Sequence, residues 1–231
     1  MRILIKISGE ALANKTQGNY DFEYLKKIWQ EICDLKKYHE IAVVCGGGNI
    51  CRGAEFAKNG ISPTVGHEVG MLATTMNALM LADIIEKLGQ ETTVFTARDL
   101  SGIGEIFDAK RAKMKLSQNA IVFLSGGTGH PYFSTDTASV LRSLELSCDM
   151  MIKLTSVDGI YSADPKKDLT AIKFSTVTYD DVLWKNLRIM DQASIALARD
   201  HDFKIGVCHI DSLPSLASLV KGEFSGSIIQ K

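Results

Sequence analysis

The 231-residue sequence lacks the features that mark several specialised classes of protein. Its five cysteines include no Cys-x-x-Cys pair, which argues against a disulfide framework and a structural zinc site and favours a reducing compartment. The net charge of −1 gives no electrostatic basis for binding nucleic acid. The sequence shows no secretory leader, and no apolar run approaches the length of a membrane span. We therefore expect a cytoplasmic protein that binds neither nucleic acid nor a membrane.

The common nucleotide-binding motifs are missing as well. The absence of G-x-x-x-x-G-K-[ST] excludes a P-loop kinase, and the protein-kinase motifs are also absent. No G-x-G-x-x-G motif occurs, which weakens the case for a dinucleotide-binding protein. A nucleotide-binding function would therefore need a different arrangement around the phosphates.

What the sequence does contain is a regular alternation of predicted strands and helices. Its composition, 45% apolar and 23% charged, is ordinary for a globular protein. The predicted strands cover Arg2–Ile7, Ile41–Cys45, Glu91–Thr96, Ala120–Ser125, Asp149–Lys153, Lys204–Cys208 and Ser227–Ile229. The predicted helices cover Tyr20–Lys37, Gly66–Leu88, Asp108–Leu116, Thr135–Leu146, Tyr179–Leu187, Gln192–Asp200 and Pro214–Val220. The alternation predicts an α/β fold whose mostly parallel sheet has helices on both faces.

Three of the apolar strands run directly into turns of small residues. These segments are Ile3–Gly9, Ile41–Asn49 and Ile121–Gly129. Glycine lets a ligand approach the backbone, and ligands of open α/β sheets bind outside the carboxyl ends of the strands. Backbone N–H groups in such turns favour anions. The pattern predicts a site for a long polyanion, such as a nucleotide triphosphate that meets a second phosphate.

The predicted helix Gly66–Leu88 is apolar around most of its circumference. Such a helix has no obvious face for solvent. Two interpretations stay open: a deeply buried core helix, or a helix packed between subunits.

Six segments in order along the chain resemble the amino acid kinase superfamily and, within it, the bacterial uridylate (UMP) kinases. They are Lys6–Glu10, Gly46–Gly53, Gly70–Asn77, Gly127–Ala138, Val157–Pro165 and the late pair Met190–Asp191 with Ala198–Asp200. The resemblance implies a three-layer sandwich formed by a single domain, residues 1–231. Residues 1–150 would bind the acceptor and residues 151–231 would bind ATP. It also implies transfer of the ATP γ-phosphate to UMP, giving UDP for pyrimidine nucleotide synthesis, with Mg²⁺ and in a homohexamer.

The catalytic residues implied by the resemblance are Lys6, Arg52, Asp136 and Asp191. A lysine or arginine beside glycines suits phosphate binding, and Asp136 would orient the phosphate-binding lysine. Each also has an ordinary structural interpretation. Lys6 could be a solubilising lysine on an edge strand, and Arg52 a surface arginine. Asp136 could complement a helix dipole, and Asp191 could cap a helix.

The resemblance also assigns binding residues to each substrate. ATP would contact Lys6, Ile7, Ser8, Gly9, Gly48, Arg52, Thr155, Tyr161 and Asp164. UMP would contact Gly47, His67, Thr128, Gly129, His130, Pro131, Tyr132, Phe133, Ser134 and Thr135. Tyr161 would pack on the adenine ring, although a surface hairpin explains its segment too. Tyr132 and Phe133 would be walls for the base, or alternatively core side chains.

Three residues depart from the family pattern. His67 stands where an aspartate is usual, His130 where an asparagine is usual, and Ser156 where a lysine is usual. These departures leave acceptor identity and transfer rate open. The alternatives are another enzyme of the superfamily with a different acceptor, or a non-catalytic nucleotide- or oxyanion-binding protein on the same fold.

Overall fold

The computed structural model describes residues 1–13, 18–51, 56, 58–165, 167–187 and 189–231, without the side chains of residues 214, 215, 218 and 220. Its main feature is a nine-stranded sheet, formed by the strands β1 (Arg2–Ile7), β2 (Glu40–Cys45), β3 (Thr92–Thr96), β4 (Glu105–Ile106), β5 (Ile121–Ser125), β6 (Met150–Thr155), β9 (Thr176–Thr178), β10 (Ile205–His209) and β11 (Ser227–Gln230). Their order across the sheet is β4-β3-β5-β2-β1-β6-β10-β11-β9. All adjacent pairs are parallel except β10 and β11. A separate hairpin pairs β7 (Ile160–Tyr161) with β8 (Lys173–Phe174).

In the part of the chain that the structure describes, six α-helices have defined bounds, and each begins with a polar side chain that accepts a backbone N–H bond, which satisfies a donor the helix leaves free. The helices are α1 (Phe22–Leu35), α2 (Pro63–Lys87), α3 (Ala109–Ser117), α4 (Thr135–Leu146), α5 (Tyr179–Trp184) and α6 (Gln192–Asp200). Their capping residues are Asp21, Ser62, Asp108, Ser134, Thr178 and Asp191. Two 3₁₀ segments, Gly9–Leu12 and Ile210–Lys221, complete the fold.

Side-chain alternation along β1 shows how the sheet forms two cores. Ile3, Ile5 and Ile7 pack into a cluster with α1, α2 and the segment Ile210–Lys221. Leu4 packs into a second cluster, with α3, α4, α5 and α6. A strand buried on both faces is what a parallel sheet between two helical layers requires. The predicted three-layer α/β fold is confirmed.

Helix α2 has two different faces. Ala73, Ala78, Leu81 and Ile85 are buried on the sheet side. A second set of apolar side chains at helical spacing is 37–55% exposed: Val65, Val69, Leu72, Met76 and Leu79. The interpretation of α2 as deeply buried all round is therefore wrong.

Contrary to the sequence-based expectation, α2 has the length and composition of a membrane span. Its most apolar 18-residue window has a mean hydropathy of 1.3, and 44% of that window is buried. The helix contacts β2, β3 and β5 of the sheet. A single helix of this kind is weak evidence for a membrane span, because helices that pack on the core of soluble proteins meet the same criterion.

Candidate active site

A buried cluster of three charged residues lies at the carboxyl ends of the central strands. Lys6 on β1 and Lys153 on β6 are direct neighbours in the sheet. Both ammonium groups reach Asp136 in the first turn of α4, Lys6 at 2.9 Å and Lys153 at 2.7 Å. Their side chains are only 7%, 12% and 13% exposed for Lys6, Lys153 and Asp136.

The charges in this cluster do not balance. Burial alone would raise the pKa of Asp136, but the neighbouring charges of Lys6 and Lys153 outweigh burial and hold that pKa below its usual value. Burial lowers the pKa of Lys153, although Asp136 opposes the shift. Two ammonium groups share one carboxylate, so the cluster carries a net positive charge where all groups are ionised. An anion such as a phosphate complements that charge.

The position of Lys6 settles one alternative from the sequence. Strand β1 is fifth of nine in the sheet, so the interpretation of Lys6 as an edge-strand lysine is wrong. Lys153 was not predicted as a site residue. The sequence feature that could have indicated Lys153 is its position as the single lysine in the otherwise apolar run Met150–Leu154. Its pairing with Lys6 in the sheet explains why a lysine stands there.

Two cavities contain predicted site residues. Lys153 lines the first of them, which we call the donor cavity. It has a volume of about 590 Å³. Three of the residues predicted to contact ATP line it: Thr155, Tyr161 and Asp164. The Tyr161 hydroxyl donates to Asp158 at 2.7 Å, so the β7–β8 hairpin holds the ring on the cavity wall.

The remaining residues predicted for ATP lie around the end of β1. Ile7 ends that strand with its side chain in the core, and Ser8 and Gly9 follow it. Gly48, also predicted for ATP, lines the second cavity instead. Arg52, predicted for both catalysis and ATP binding, lies outside the described residues.

The second cavity, which we call the acceptor pocket, has a volume of about 190 Å³. Gly47, His67, Phe133 and Thr135 are the residues predicted for UMP that line it. Gly47 packs directly on α2. A Cβ atom added at Gly47 would lie only 2.8 Å from the Cβ of Ala73, which is too close for a side chain without a shift of the neighbouring atoms. Thr135 adjoins Asp136, so the pocket lies next to the buried charges.

The other residues predicted for UMP form the loop 126–134, which we call the acceptor loop: Thr128, Gly129, His130, Pro131, Tyr132 and Ser134. Tyr132 and Phe133 are 67% and 51% exposed, so the alternative that these aromatic residues belong to the core is wrong. Tyr132 has a φ of 70°, a conformation that costs a non-glycine residue about 1–3 kcal/mol and needs support from its surroundings.

Contacts that the sequence did not predict hold this loop. Arg98 donates from Nε to the carbonyl of Gly129 at 2.6 Å and pairs with Glu68 at 3.2 Å. The Tyr132 hydroxyl lies 3.0 Å from Thr64 Oγ1, and its ring lies 4.9 Å from that of His67. The first turns of α2 thus hold the loop at two points.

Asp191 has the helix-capping role that the sequence allowed. Its side chain accepts the N–H of Ser194 and the hydroxyl protons of Ser134 and Thr137. It therefore joins the start of α6 to the start of α4, whose second residue is Asp136. A direct catalytic role for Asp191 stays a prediction.

No group of three or more His, Cys, Asp or Glu side chains within the described ranges could hold a metal ion.

Comparison with known proteins identifies the family. The model of the amino acid kinase family matches residues 1–209. A uridylate kinase of Sulfurovum sp. (strain NBC37-1) is 43% identical over 97% of this chain and 96% of its own length. One from Hydrogenovibrio crunogenus is 40% identical over 99% and 97%. The crystal structure of UMP kinase from Bacillus anthracis has a TM-score of 0.94 at 33% identity, covering 99% of this chain and 95% of that one. The chain belongs to the amino acid kinase family.

Proposed function

We propose that this chain is an ATP-dependent UMP kinase that produces UDP and ADP in pyrimidine nucleotide synthesis. One observation carries the proposal: Lys153 of the buried Lys6–Asp136–Lys153 cluster lines the donor cavity, and Thr135, which directly precedes Asp136 in the first turn of α4, lines the acceptor pocket. Relatives at about 40% identity over nearly the whole chain are named uridylate kinases, which supports UMP as the acceptor.

On the donor side, Lys153 and Lys6 hold the phosphates of ATP. Their ammonium groups act as point charges, and Asp136 keeps both in place. Thr155, Tyr161 and Asp164 surround the nucleoside in the donor cavity. The backbone of Ile7, Ser8 and Gly9 supplies N–H groups at the end of β1, where anions bind in such folds.

On the acceptor side, Gly47, Gly48 and Thr135 bind the phosphate of UMP. Thr135 is the first residue of α4, and a helix N-terminus favours negative charge. His67 and the acceptor loop, through Gly127 and Phe133, surround the ribose and base.

Transfer needs no covalent intermediate. The transition state is loose, with its charge spread over phosphate oxygens, so fixed positive charges and in-line positioning supply the catalysis. Arg52 is assigned to the phosphate in transit. Mg²⁺ accompanies ATP, held by its phosphate oxygens, and neutralises part of the charge of the two facing polyanions.

The proposal extends to the organisation and setting of the enzyme. The acceptor pocket is lined from residues 47–135 and the donor cavity from residues 153–207, which supports one domain with an acceptor part near 1–150 and an ATP part near 151–231. The exposed apolar face of α2 supports a homo-oligomer, a hexamer by family resemblance. Free cysteines support a cytoplasmic location.

The proposal is tested by ADP release with ATP and Mg²⁺ and a panel of acceptors: UMP, CMP, dUMP, acetylglutamate, aspartate and carbamate. We expect turnover with UMP at a kcat/KM at least about tenfold above every other acceptor. Faster turnover with a carboxylate or carbamate would assign a different acceptor. Nucleotide binding without ADP release from any acceptor would instead support the non-catalytic alternative.

A further inference from the structure

Asn77 is a buried polar residue in the middle of an otherwise apolar helix. Its side chain is fully buried on α2, between the apolar positions Ala73 and Leu81. Burying an amide is unfavourable unless all its hydrogen-bonding groups find partners. The partners of Asn77 therefore show what this residue does.

All four hydrogen-bonding positions of the Asn77 side chain are used. Its Nδ2 donates to the carbonyl of Gly46 at 2.6 Å and to Oδ1 of Asn49 at 2.8 Å. Its Oδ1 accepts from Nδ2 of Asn49 at 3.1 Å and from the hydroxyl of Tyr20 at 2.9 Å. Asn77 and Asn49 thus form a reciprocal amide pair, and the bond from Asn77 Nδ2 to the Gly46 carbonyl sets which way the Asn77 amide is turned.

This network lies where the first two glycine turns meet. The N–H of Gly46 donates to the carbonyl of Ile7 at 2.9 Å, which joins the end of β2 to the end of β1. A Cβ atom at Gly9 would lie 2.4 Å from the backbone nitrogen of Gly48 and 2.8 Å from Oδ1 of Asn49. Only glycine allows the turn after β1 to approach the turn after β2 this closely.

We propose that Asn77 is a positioning residue that fixes the distance and orientation between the turn at Ser8–Gly9 and the turn at Gly46–Asn49. The inference rests on the proposed function, in which the first turn holds ATP and the second holds the phosphate of UMP. Asn77 acts through Gly46 and Asn49, without touching either substrate. Phosphoryl transfer depends on in-line alignment, and a misplacement of about 1 Å can cost about 100-fold in rate.

The test compares Asn77→Ser and Asn77→Asp with Ile85→Val. Serine is too short to span Gly46 and Asn49, and aspartate keeps the shape but loses both donated bonds. Ile85 is a fully buried residue two turns further along α2, so its variant loses packing on the same helix away from the turns. Steady-state kinetics with UMP and Mg-ATP are measured at a temperature at which circular dichroism shows that every variant is folded.

We expect kcat to fall about 10- to 100-fold in both Asn77 variants, with the KM of each nucleotide changed by less than about threefold. The Ile85→Val variant lowers the melting temperature and keeps kcat within about twofold. A Tyr20→Phe variant removes one bond to Asn77 and gives a smaller loss of kcat.

Asn49→Ala supplies a second test, because Asn49 lies on the other side of the amide pair. If both residues act through one network, the double variant Asn49→Ala/Asn77→Ser loses no more kcat than the worse single variant. Folded Asn77 variants with wild-type kcat, or losses that multiply in the double variant, would overturn the proposal. A wild-type enzyme that does not phosphorylate UMP would count against the proposed function instead.

Discussion

The buried charge cluster and the acceptor loop face the same reaction but are built in opposite ways. Lys6, Asp136 and Lys153 lie on the two central strands and a capped helix, and their side chains are at most 13% exposed. The acceptor loop is exposed at Tyr132, and the ion pair that supports it, Arg98 with Glu68, has side chains 50% and 43% exposed. Under the proposed function, residues in the core would carry the chemistry, whereas acceptor recognition would depend on a few surface contacts.

This difference has an energetic consequence. Breaking a buried ion pair leaves an uncompensated charge, which is far more costly than losing an exposed pair worth about 0.2–1 kcal/mol. Of the departures from the family pattern, His130 is exposed and His67 is half-buried, and neither belongs to the buried cluster. Changes at these two positions are expected to alter acceptor affinity without dismantling the fold.

The largest effect is expected when Asp136 is replaced. Asp136→Asn leaves two buried ammonium groups facing each other, so the free energy of unfolding should fall by about 3–5 kcal/mol in urea titrations. Asp83→Asn is the matched control, because Asp83 pairs with Lys87 on the exposed surface of α2. It should cost about 0.5 kcal/mol or less. Equal losses in both variants would show that the cluster is no stronger than a surface pair.

Removal of one ammonium should affect rate more than binding. Lys6→Met takes away a fixed positive charge at the transferring phosphate, so kcat should fall about 100- to 1,000-fold while the KM for UMP changes little. Stopped-time ADP assays at saturating ATP measure this directly. A variant that keeps near-wild-type turnover would refute the assignment of Lys6.

Acid should weaken the buried region selectively. The pKa of Asp136 lies below its usual value in the folded protein, so its ionised form stabilises the fold above the unfolded-state pKa of about 4. That contribution is lost as pH falls through the lower, folded-state pKa. The difference in unfolding free energy between wild type and Asp136→Asn should therefore shrink as the pH falls from 6 to 2. These two values lie about two units either side of the unfolded-state pKa. A difference independent of pH would contradict the ionised cluster.

The smallest effect is expected in the acceptor loop. Arg98→Ala removes the bond to the Gly129 carbonyl, and the KM for UMP should rise about three- to tenfold with the KM for ATP unchanged. Arg111→Ala, which breaks an exposed ion pair between α3 and Glu105 of β4, is the control. If the KM for ATP rose as much as that for UMP, the loop would not be specific to the acceptor.

The sequence predicted the presence and type of the longer elements, although the start of the longest helix, α2, was predicted three residues too late. The bounds predicted for β1, α4 and α6 match those observed. Strands of two or three residues, such as β4 and β9, were missed because they are too short to show a period. The predicted helix Pro214–Val220 lies within a longer 3₁₀ segment, Ile210–Lys221, and apolar spacing does not tell a 3₁₀ helix from an α-helix.

The candidate site was only partly predictable. Motif similarity pointed to Lys6 and Asp136, but the role of Lys153 depends on its register with Lys6 across two strands 147 residues apart, which no local pattern reveals. Similarly, Arg98 and Asn77 act through loops from other parts of the chain. Arg52 stays a prediction.

Lys153 provides the most direct measurement, because it belongs to the cluster and also lines the donor cavity. The kcat for UMP phosphorylation is compared between Lys153→Met and Lys87→Met, an exposed lysine at the far end of α2. We expect a loss of about 100-fold or more for Lys153→Met, with Lys87→Met within about twofold of wild type. A folded Lys153→Met enzyme with wild-type kcat would contradict this expectation.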